Sequence, residues 1–332
     1  MNIQNDKSIH FAPLQGHTDH FYRNVHNEIF GGIDTYYTPF VRLEKGDTYR
    51  PREIRDINPE NNTVEHLIPQ LIASTGEELK KISALFIEKG YKEADINMGC
   101  PFPMIARRHK GSGILAHHDE VKALLDTVNV IPELRFSLKI RLGWDSPEEA
   151  INLISLINDS NISHLCVHAR LGKQQYGGET DLDSFEKIYN ASSHPLFYNG
   201  DVKTIEDIDN IFNRFPNLKG VTIGRGLLSN PALAMEYKSG SELSVSDKKK
   251  KMRLFHDTLF QHYSDFLQGE KQILDKMKAF WEYLSPELEK RTRKKIEKAN
   301  KLNNYDAAVS LAFSQWGKVA KVEDNQDSED FI

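Results

Sequence analysis

Cys100 occupies a position in this sequence that packing alone does not explain. It ends the alternating stretch EADINMGC, residues 93–100, and stands between Gly99 and Pro101, where a sharp turn should expose its sulfur. Such a cysteine can act as a nucleophile, a metal ligand or a proton donor. No adjacent residue supplies a base, and the other cysteine, Cys166, gives no metal-binding spacing. Proton donation needs no further partner, because an unperturbed thiol with a pKa of about 8.5 is mostly protonated near neutral pH.

Two pairs of polar side chains recur at a spacing of two residues. Lys139 and Arg141 lie in LKIRLGW, and His168 and Arg170 lie in HLCVHAR. On a β-strand, residues two apart point to the same side. Two cations directed into a protein are costly unless an anion or an electron-rich ring meets them; the alternative is a pair of exposed charges. For His168 the alternative is a buried structural histidine, and Cys166 is expected to be a small buried hydrophobe.

These residues follow short apolar segments that alternate with predicted helices. Eight segments occur up to about residue 224: IHFAPL, DTYYTPFV, HLIPQLIA, EADINMGC, FSLKIRL, HLCVHAR, PLFYNG and GVTIGRG. Helix-start signals lie between them, at Ser74 with Glu77, at Ser146-Pro147 and at Thr204 with Asp207. Strands that alternate with helices form right-handed parallel units. The pattern therefore predicts an α/β protein with a (β/α)8 barrel, which is a TIM barrel.

Chemistry in such a barrel lies at the carboxyl ends of its strands. Polar and glycine residues occur at these ends and should converge on one rim: Pro13, Leu14, Gln15, Gln70, Asn97, Cys100, Lys139, Arg141, His168, Arg170, Asn199, Gly200, Asp201, Gly224 and Arg225. The turns at Gly200 and at Gly224–Gly226 follow the seventh and eighth strands, where backbone N–H groups commonly bind phosphate. Either turn alone could simply end a strand, but together they predict a phosphate site.

The pattern changes after residue 238. SGSELSVSDKKKKM is predicted to be a linker, and helical periodicity follows from Arg253 to about Lys318. We therefore predict a barrel over residues 1–238, a small helical bundle over 239–320 and an acidic, disordered tail over 321–332. Sixteen Lys or Arg residues stand against ten Asp or Glu residues from Lys238 to Lys301, although the whole chain has a net charge of −5. This basic region is either a nucleic-acid surface or a solvated helical face.

The compartment can also be predicted. No apolar run reaches the ~20 residues that span a bilayer, and the first residues lack the features of a signal peptide. We expect a cytoplasmic protein without a membrane association. In that setting Cys100 and Cys166 should not form a disulfide, and we expect no metal site. We expect a monomer.

The strand-end motifs, taken together, resemble those of the tRNA-dihydrouridine synthase family. The matching segments run from residue 12 to about 231: APLQGHTDHFYR, PQLIAST, DINMGCP with GSGIL, LKIRLGWD, HARLGKQQYGG, YNGDVKT and IGRGLLSNP. The resemblance implies reduction of the 5,6 double bond of particular uridines in tRNA. It further implies flavin mononucleotide (FMN) as cofactor, with NADPH or NADH as reductant, and an RNA-binding role for the helical domain.

The resemblance also implies roles for individual residues. Pro13, Leu14 and Gln15 would line the isoalloxazine ring, Gln70 would bind its pyrimidine edge, and Lys139 would stabilise negative charge on the reduced ring. The flavin phosphate would be held by Asn199, Gly200, Asp201, Gly224 and Arg225. The cofactor or the target uracil would be surrounded by Asn97, Arg141, His168 and Arg170, and Cys100 would protonate carbon 5 of the uracil. The loop directly after Cys100 carries Arg107, Arg108 and Lys110. From this position, and not from the resemblance, we expect these cations to meet backbone phosphates of the RNA.

Other functions remain open from the sequence alone. A flavin-dependent reductase or dehydrogenase of a free pyrimidine could use a similar barrel and cysteine, but it would not need a basic helical domain. The same reaction on another RNA is a further alternative. An RNA-binding protein without catalytic activity would not need Cys100 or the flavin residues. Turnover that depends on intact tRNA and a flavin in the purified protein distinguish these possibilities.

Overall fold

A single parallel sheet closes into a barrel in the computed structural model, which describes residues 7–284 and 288–317. Its strands are β1 (Ser8–Phe11), β2 (Thr35–Tyr37), β3 (Leu67–Ile68), β4 (Gln70–Leu71), β5 (Glu93–Met98), β6 (Arg135–Arg141), β7 (Ile162–His168), β8 (Leu196–Asn199) and β9 (Gly220–Ile223). Neighbouring strands pair in parallel in the order β3-β2-β1-β9-β8-β7-β6-β5-β4. Only Pro69 separates β3 from β4, so the first and last strands of this order are neighbours in the chain and the sheet closes on itself. The predicted (β/α)8 barrel is confirmed, with its third strand interrupted at a residue that has no N–H donor.

Helices connect and cover the strands. They are α1 (His20–Ile29), α2 (Pro51–Asp56), α3 (Gly76–Glu88), α4 (Pro103–Ala106), α5 (His118–Val128), α6 (Pro147–Asn158), α7 (Leu182–Ala191), α8 (Ile205–Arg214), α9 (Arg225–Ser229) and α10 (Leu233–Ser239), with 3-10 turns at Pro59–Asn61 and Gly111–Ala116. The predicted site residues lie at or close to the carboxyl ends of the strands.

Strand β6 illustrates how the barrel positions polar groups. Phe136, Leu138 and Ile140 are fully buried on one of its faces. The alternate positions 137, 139 and 141 place a serine, a lysine and an arginine on the other face, because successive side chains of a strand point to opposite sides. Strand β5 repeats the pattern with Asp95 and Asn97. The period of two therefore brings the polar residues of neighbouring strands together.

Two of the three predicted helix starts are confirmed. The Ser146 hydroxyl caps α6, and Thr204 forms a capping box with Asp207 at the start of α8. The prediction at Ser74 with Glu77 is wrong by one residue: Thr75 caps α3 by accepting a hydrogen bond from the backbone N–H of Glu78. The Glu78 carboxylate accepts from the Ser74 N–H at 2.9 Å, and it lies where it can also pair with Lys110.

In the part of the chain that the structure describes, four helices follow the barrel: α11 (Val245–Phe266), α12 (Glu270–Glu282), α13 (Lys290–Lys298) and α14 (Leu302–Gln315). The predicted helical region is confirmed, but the linker is shorter than predicted because α11 already includes the lysine run. Leu254 lies on the solvent side of α11 and is 56% exposed. The buried face of α11 contains Met252, Phe255, His256, Leu259 and Tyr263, which follow a helical period. The predicted tail lies outside the described residues.

The chain divides into two compact units. One contains the residues up to Leu227 together with Pro231–Ser241, and the other contains Leu228–Asn230 and the chain from Glu242 onward. The assignment of cofactor binding to the first and RNA binding to the second stays a prediction. Among the helices of the described residues, none has the length and apolar character needed to cross a bilayer.

The core of the second unit contains a continuous set of hydrogen bonds. The Trp281 indole N–H donates to the Tyr305 hydroxyl at 2.9 Å, and that hydroxyl lies 2.8 Å from Nε2 of His256. Nδ1 of His256 lies 2.8 Å from the Asp257 carboxylate, so the proton is assigned to Nδ1 and the Tyr305 hydroxyl donates to Nε2. Burial lowers the pKa of His256, which keeps its imidazole neutral beside the Asp257 carboxylate.

Replacing Tyr305 with Phe tests this arrangement. The change leaves the Trp281 N–H and Nε2 of His256 without their partner in a buried site. We expect the free energy of unfolding of the helical unit to fall by about 1–3 kcal/mol in chemical denaturation. Leu254→Ala, at an exposed position of the same unit, should change it by less than about 0.5 kcal/mol. Equal stability of Tyr305→Phe and the unmodified protein would contradict the assignment.

Candidate active site

Side chains hold the turn that carries Cys100 by hydrogen bonds to its backbone groups. Oδ1 of Asn97 accepts hydrogen bonds from the N–H groups of Gly99 at 3.0 Å and Cys100 at 2.8 Å. The carbonyl of Gly99 accepts from Nε of Arg141 at 2.9 Å, and the carbonyl of Cys100 accepts from both the N–H and the hydroxyl of Ser112. The turn therefore has little freedom, and the sulfur has a defined position.

Gly111 explains why the GSG sequence follows eleven residues later. Its φ angle is +59°, and a Cβ atom at this position would lie 2.6 Å from the carbonyl oxygen of Cys100. Any larger residue would push the returning chain away from the turn. The sequence thus joins the cysteine turn and the following loop by close backbone contact.

The sulfur of Cys100 is half-buried, whereas the sequence had suggested that it is exposed. It packs against an apolar cluster of Phe40, Ile72 and Ile105. Burial raises the pKa of the Cys100 thiol, and the nearby cations of Arg141 and Lys139 oppose this only in part. The thiol therefore stays protonated at neutral pH, which suits a proton donor better than a nucleophile.

Two of the predicted cations have different environments. Nζ of Lys139 donates to Oδ1 of Asn199 at 2.9 Å, and Nδ2 of Asn199 donates to the backbone carbonyl of Thr222 at 2.6 Å. Burial lowers the pKa of Lys139. Arg141 is only 1% exposed and donates to the carbonyls of Gly99 and Leu171. Lys139 thus links the ends of β6 and β8, while Arg141 fixes the cysteine turn to the loop after β7.

Asp201 joins two arginines at the end of β8. Its carboxylate accepts hydrogen bonds from Arg170 and, at 2.9 Å, from Arg225. Burial opposes ionisation of Asp201, but the two guanidinium groups lower its pKa overall. An ionised carboxylate repels phosphate, so the side chain of Asp201 can assist phosphate binding only by orienting Arg225.

Arg170 is also turned into the protein. It is 1% exposed, and its guanidinium donates to the carbonyls of Gly177 and Gly178 besides Asp201. These bonds hold the loop that carries Tyr176, whose ring lies 5.4 Å from the guanidinium of Arg141 and 4.6 Å from that of Arg225. Tyr176 is a rim residue that the sequence analysis missed, although it lies within HARLGKQQYGG.

His168 is buried and electrically neutral. Burial lowers its pKa well below the usual value, and the surrounding cations, first Arg141 and Lys139, lower it further. Nη1 of Arg170 lies 3.5 Å from Nε2 of His168, and since a guanidinium only donates, Nε2 is assigned as the acceptor. The imidazole can therefore donate a hydrogen bond through Nδ1 without carrying charge.

The loop after β1 presents apolar surface beside the last strand. Pro13 and Leu14 are half-buried, Gln15 is exposed, and Thr18 closes the loop with a hydrogen bond from the N–H of Leu14 to its hydroxyl at 2.9 Å. A Cβ atom at position 224 would lie 3.3 Å from Leu14, so glycine allows the end of β9 to approach this loop closely. The predicted lining residues are thus adjacent to the predicted phosphate turn.

The three predicted RNA-contact cations fall into two groups. Arg107 and Arg108 are exposed just after α4. Lys110, in contrast, has a side chain that is only 13% exposed, and its Nζ donates to the Glu78 carboxylate at 2.7 Å. Lys110 therefore joins the loop to α3, and a phosphate contact would require breaking that pair.

Histidines close the same loop. Nδ1 of His109 lies 2.8 Å from the Glu120 carboxylate, and the His109 and His117 rings stack with centroids 3.6 Å apart. The ligand atoms of these three residues lie within 4.8 Å of one another, the spacing of a possible metal site. Nearly parallel stacked rings direct their nitrogen lone pairs side by side and not toward one point. The stacking and the hydrogen bond account for the cluster, and we assign no metal to it.

The residues at this rim are of the kinds that a flavin site needs. They combine a half-buried apolar surface at Pro13 and Leu14, a lysine and an arginine at the rim, and glycine turns after β8 and β9. Gly200 has a φ angle of +141°, and a Cβ there would lie 2.8 Å from Thr180 and 2.9 Å from the Tyr198 hydroxyl. Glycine is therefore required at this position, because any side chain would clash with these neighbours and the positive φ angle is unfavourable for other residues.

Fold and site together define a (β/α)8 enzyme with a cationic rim and a protonated thiol. The family model for dihydrouridine synthases matches residues 10–316. The chain therefore belongs to the dihydrouridine synthase family, a family of flavin-dependent oxidoreductases. The resemblance inferred from the motifs is confirmed.

Comparison with individual proteins supports membership in this family. The tRNA-dihydrouridine synthase B of Pasteurella multocida is 26% identical over 226 residues, which are 68% of this chain and 67% of that protein. The tRNA-dihydrouridine(16) synthase of Pseudomonas putida is 28% identical over 240 residues, 69% of this chain and 72% of that protein. Morphinone reductase shares the barrel fold, with a TM-score of 0.52 and 11% identity over 73% of this chain and 88% of that one.

The protonation state of Cys100 can be measured directly. Because burial raises the pKa of its thiol, the rate of iodoacetamide alkylation at Cys100 should rise with a midpoint above the ordinary pKa of about 8.5. Mass spectrometry of the modified peptide over a pH series gives the midpoint, with Cys100→Ala as the blank. A midpoint below pH 8 would show an activated thiolate and exclude the protonated-acid interpretation.

Proposed function

We propose that this protein reduces the 5,6 double bond of uridines in tRNA to give dihydrouridine. The observation that carries the proposal is a half-buried thiol, held protonated on a fixed turn beside a cationic rim, in a chain whose family match extends over residues 10–316. A thiol of this kind can protonate a carbon atom of a substrate held above it. The names of the relatives support tRNA as the substrate.

The rim residues would hold FMN. Pro13, Leu14 and Gln15 would contact the ring, with Gln70 and Asn97 at its polar edge, and Lys139 would lie near the ring. Gly200, Gly224 and Arg225 would hold the phosphate. The chemistry that a bound reduced flavin supplies is hydride transfer to carbon 6 of the uracil. We propose NADPH or NADH as the source of the electrons.

The chain's own residues would supply the proton. The Sγ–H bond of Cys100 breaks as a bond forms between that proton and carbon 5, and the thiolate left behind recovers a proton from water. Arg141 and Lys139, whose positive charges partly oppose the rise in the pKa of this thiol, would stabilise the transient thiolate. The neutral His168 would donate a hydrogen bond without competing as an acid.

The helical unit would contribute to tRNA binding. Helix α13 carries Lys294, Lys295 and Lys298, whose side chains are exposed and line a groove of about 410 Å³ with α14. Arg107 and Arg108 near Cys100 would contact phosphates beside the target uridine. Extruding that base from its stack costs a few kcal/mol, which such backbone contacts can offset.

Cys100→Ala tests the reaction and the acid together. The protein is incubated with FMN, NADPH and unmodified tRNA, and dihydrouridine is quantified by mass spectrometry of nucleosides. Loss of a positioned general acid should reduce the rate by about 10²- to 10⁴-fold. FMN content should be unchanged. Product from free uridine but not from tRNA would contradict the substrate, and full activity of Cys100→Ala would contradict the role of the thiol.

Neutralising Arg107 and Arg108 tests whether this loop binds RNA. In the double variant Arg107→Gln/Arg108→Gln, the dependence of log K for tRNA on log salt should become shallower by about 0.7–0.9 for each arginine–phosphate ion pair that the substitutions remove. Lys110→Gln serves as a contrast, because breaking its pair with Glu78 should change loop stability more than the salt slope. An unchanged slope in the double variant would remove these arginines from the interface.

A further inference from the structure

Asp95 is a buried carboxylate to which the reaction assigns no role. It lies on β5 two residues before Asn97 and is 1% exposed. Its Oδ1 accepts from the Ser137 hydroxyl at 2.6 Å, and its Oδ2 accepts from Nε2 of Gln70 at 2.7 Å. Burial raises the pKa of Asp95 to about 6, so its ionised form is kept in the barrel at an energetic cost.

The hydrogen bonds between Asp95 and Cys100 have only one consistent direction. The N–H groups of Gly99 and Cys100 can only donate, so Asn97 must present Oδ1 to them. Nδ2 of Asn97 then faces Gln70 and donates to its Oε1 at 2.8 Å. Nε2 of Gln70 then lies on the side of the amide away from Asn97, where its N–H requires an acceptor. The carboxylate of Asp95 supplies that acceptor.

A flipped amide at either position would bring like groups together. If Gln70 turned over, its NH2 group would face the NH2 group of Asn97. If Asn97 followed, its NH2 group would face the two N–H donors of the turn. Each such mismatch leaves buried donors without acceptors, which is unfavourable. Asp95 and the turn thus fix both amides from opposite ends.

We propose that Asp95 is a positioning residue that fixes the hydrogen-bonding direction of Gln70 and Asn97 and thereby the group they present to the ligand. With the internal bonds made, Gln70 retains one N–H and one lone pair, and Asn97 retains one N–H. An N–H beside a lone pair is complementary to an imide edge, a carbonyl next to an N–H. Both the pyrimidine ring of a flavin and uracil have such an edge. This inference rests on the proposed function for the identity of the ligand.

Two substitutions separate direction from charge. Asp95→Asn retains an oxygen that can accept from Gln70, and its NH2 group can donate to the Ser137 hydroxyl, so the direction is preserved without the charge. Asp95→Leu removes the acceptor. Tyr37→Phe serves as the control, since it breaks hydrogen bonds to His10 and His164 inside the same barrel and leaves the hydrogen bonds of Asp95, Gln70 and Asn97 in place.

The readouts are the dissociation constant for FMN, the absorption spectrum of bound FMN and the alkylation rate of Cys100. Asp95→Asn should stay within about twofold of the unmodified protein in all three. Asp95→Leu should weaken FMN binding by about tenfold or more, which corresponds to about 1.4 kcal/mol, and should change the alkylation rate several-fold. Tyr37→Phe should lower thermal stability without either effect.

Several outcomes would overturn the proposal. One is an Asp95→Leu protein that binds both FMN and uridine monophosphate as Tyr37→Phe does; another is an Asp95→Asn protein that binds FMN as weakly as Asp95→Leu, which would make charge the important property. If Asp95→Leu does not fold, the smaller Asp95→Ala replaces it with the same expected effects. Binding of uridine monophosphate to the FMN-loaded proteins distinguishes the two imides: weaker binding there, with FMN affinity unchanged, assigns the position to uracil.

Failure of the proposed function can be recognised separately. FMN affinity and the alkylation rate do not depend on any product being formed. A protein that binds FMN, responds to Asp95→Leu as expected and makes no dihydrouridine would retain the positioning role and lose the reaction. A protein that makes dihydrouridine and is insensitive to Asp95→Leu would retain the reaction and lose the positioning role.

Discussion

The excess of positive charge at the barrel rim is the constraint on which the rest of the site depends. Lys139, Arg141, Arg170 and Arg225 approach one another at the ends of β6, β7 and β9, and Asp201 pairs with the last two of them. Burial first, and then the nearby positive charges, lower the pKa values of Lys139 and Arg141, the latter to about 10. A site built in this way is stabilised by an anion. A flavin phosphate and a ring that becomes negative on reduction both meet that need.

The barrel and the rim residues could be predicted because they follow from local rules. A period of two within β6 and β7 directs alternate residues to one face, and parallel strands bring their carboxyl ends to the same rim. The glycines after β8 and β9 could be assigned to the same rim for the same reason, whereas their binding of phosphate stays a prediction. The caps of α6 and α8 were readable from a few adjacent residues. The break of the third strand at Pro69 follows from the missing N–H of proline.

The partnerships between these residues could not be predicted. Lys110 was expected to contact RNA, but its ammonium group pairs with the carboxylate of Glu78, 32 residues earlier. The internal bonds of Arg170 depend on how the loop around Gly178 returns to β7. Such contacts are set by strand register and loop geometry, and neither can be read from the spacing of residues in the sequence. The half-burial of Cys100 has the same origin, since Phe40, Ile72 and Ile105 come from three distant parts of the chain.

A protonated thiol beside several cations is at first sight contradictory, because a nearby positive charge ordinarily lowers a thiol pKa. The direction of the Arg141 guanidinium resolves this. Its hydrogen bonds go to the backbone carbonyls of Gly99 and Leu171, so these donors hold the backbone and not the sulfur. Burial against the apolar cluster then dominates, and the pKa of Cys100 rises. The chain thus places positive charge where it could meet an anionic ligand and keeps the proton on sulfur, as the proposed role of Cys100 as an acid requires.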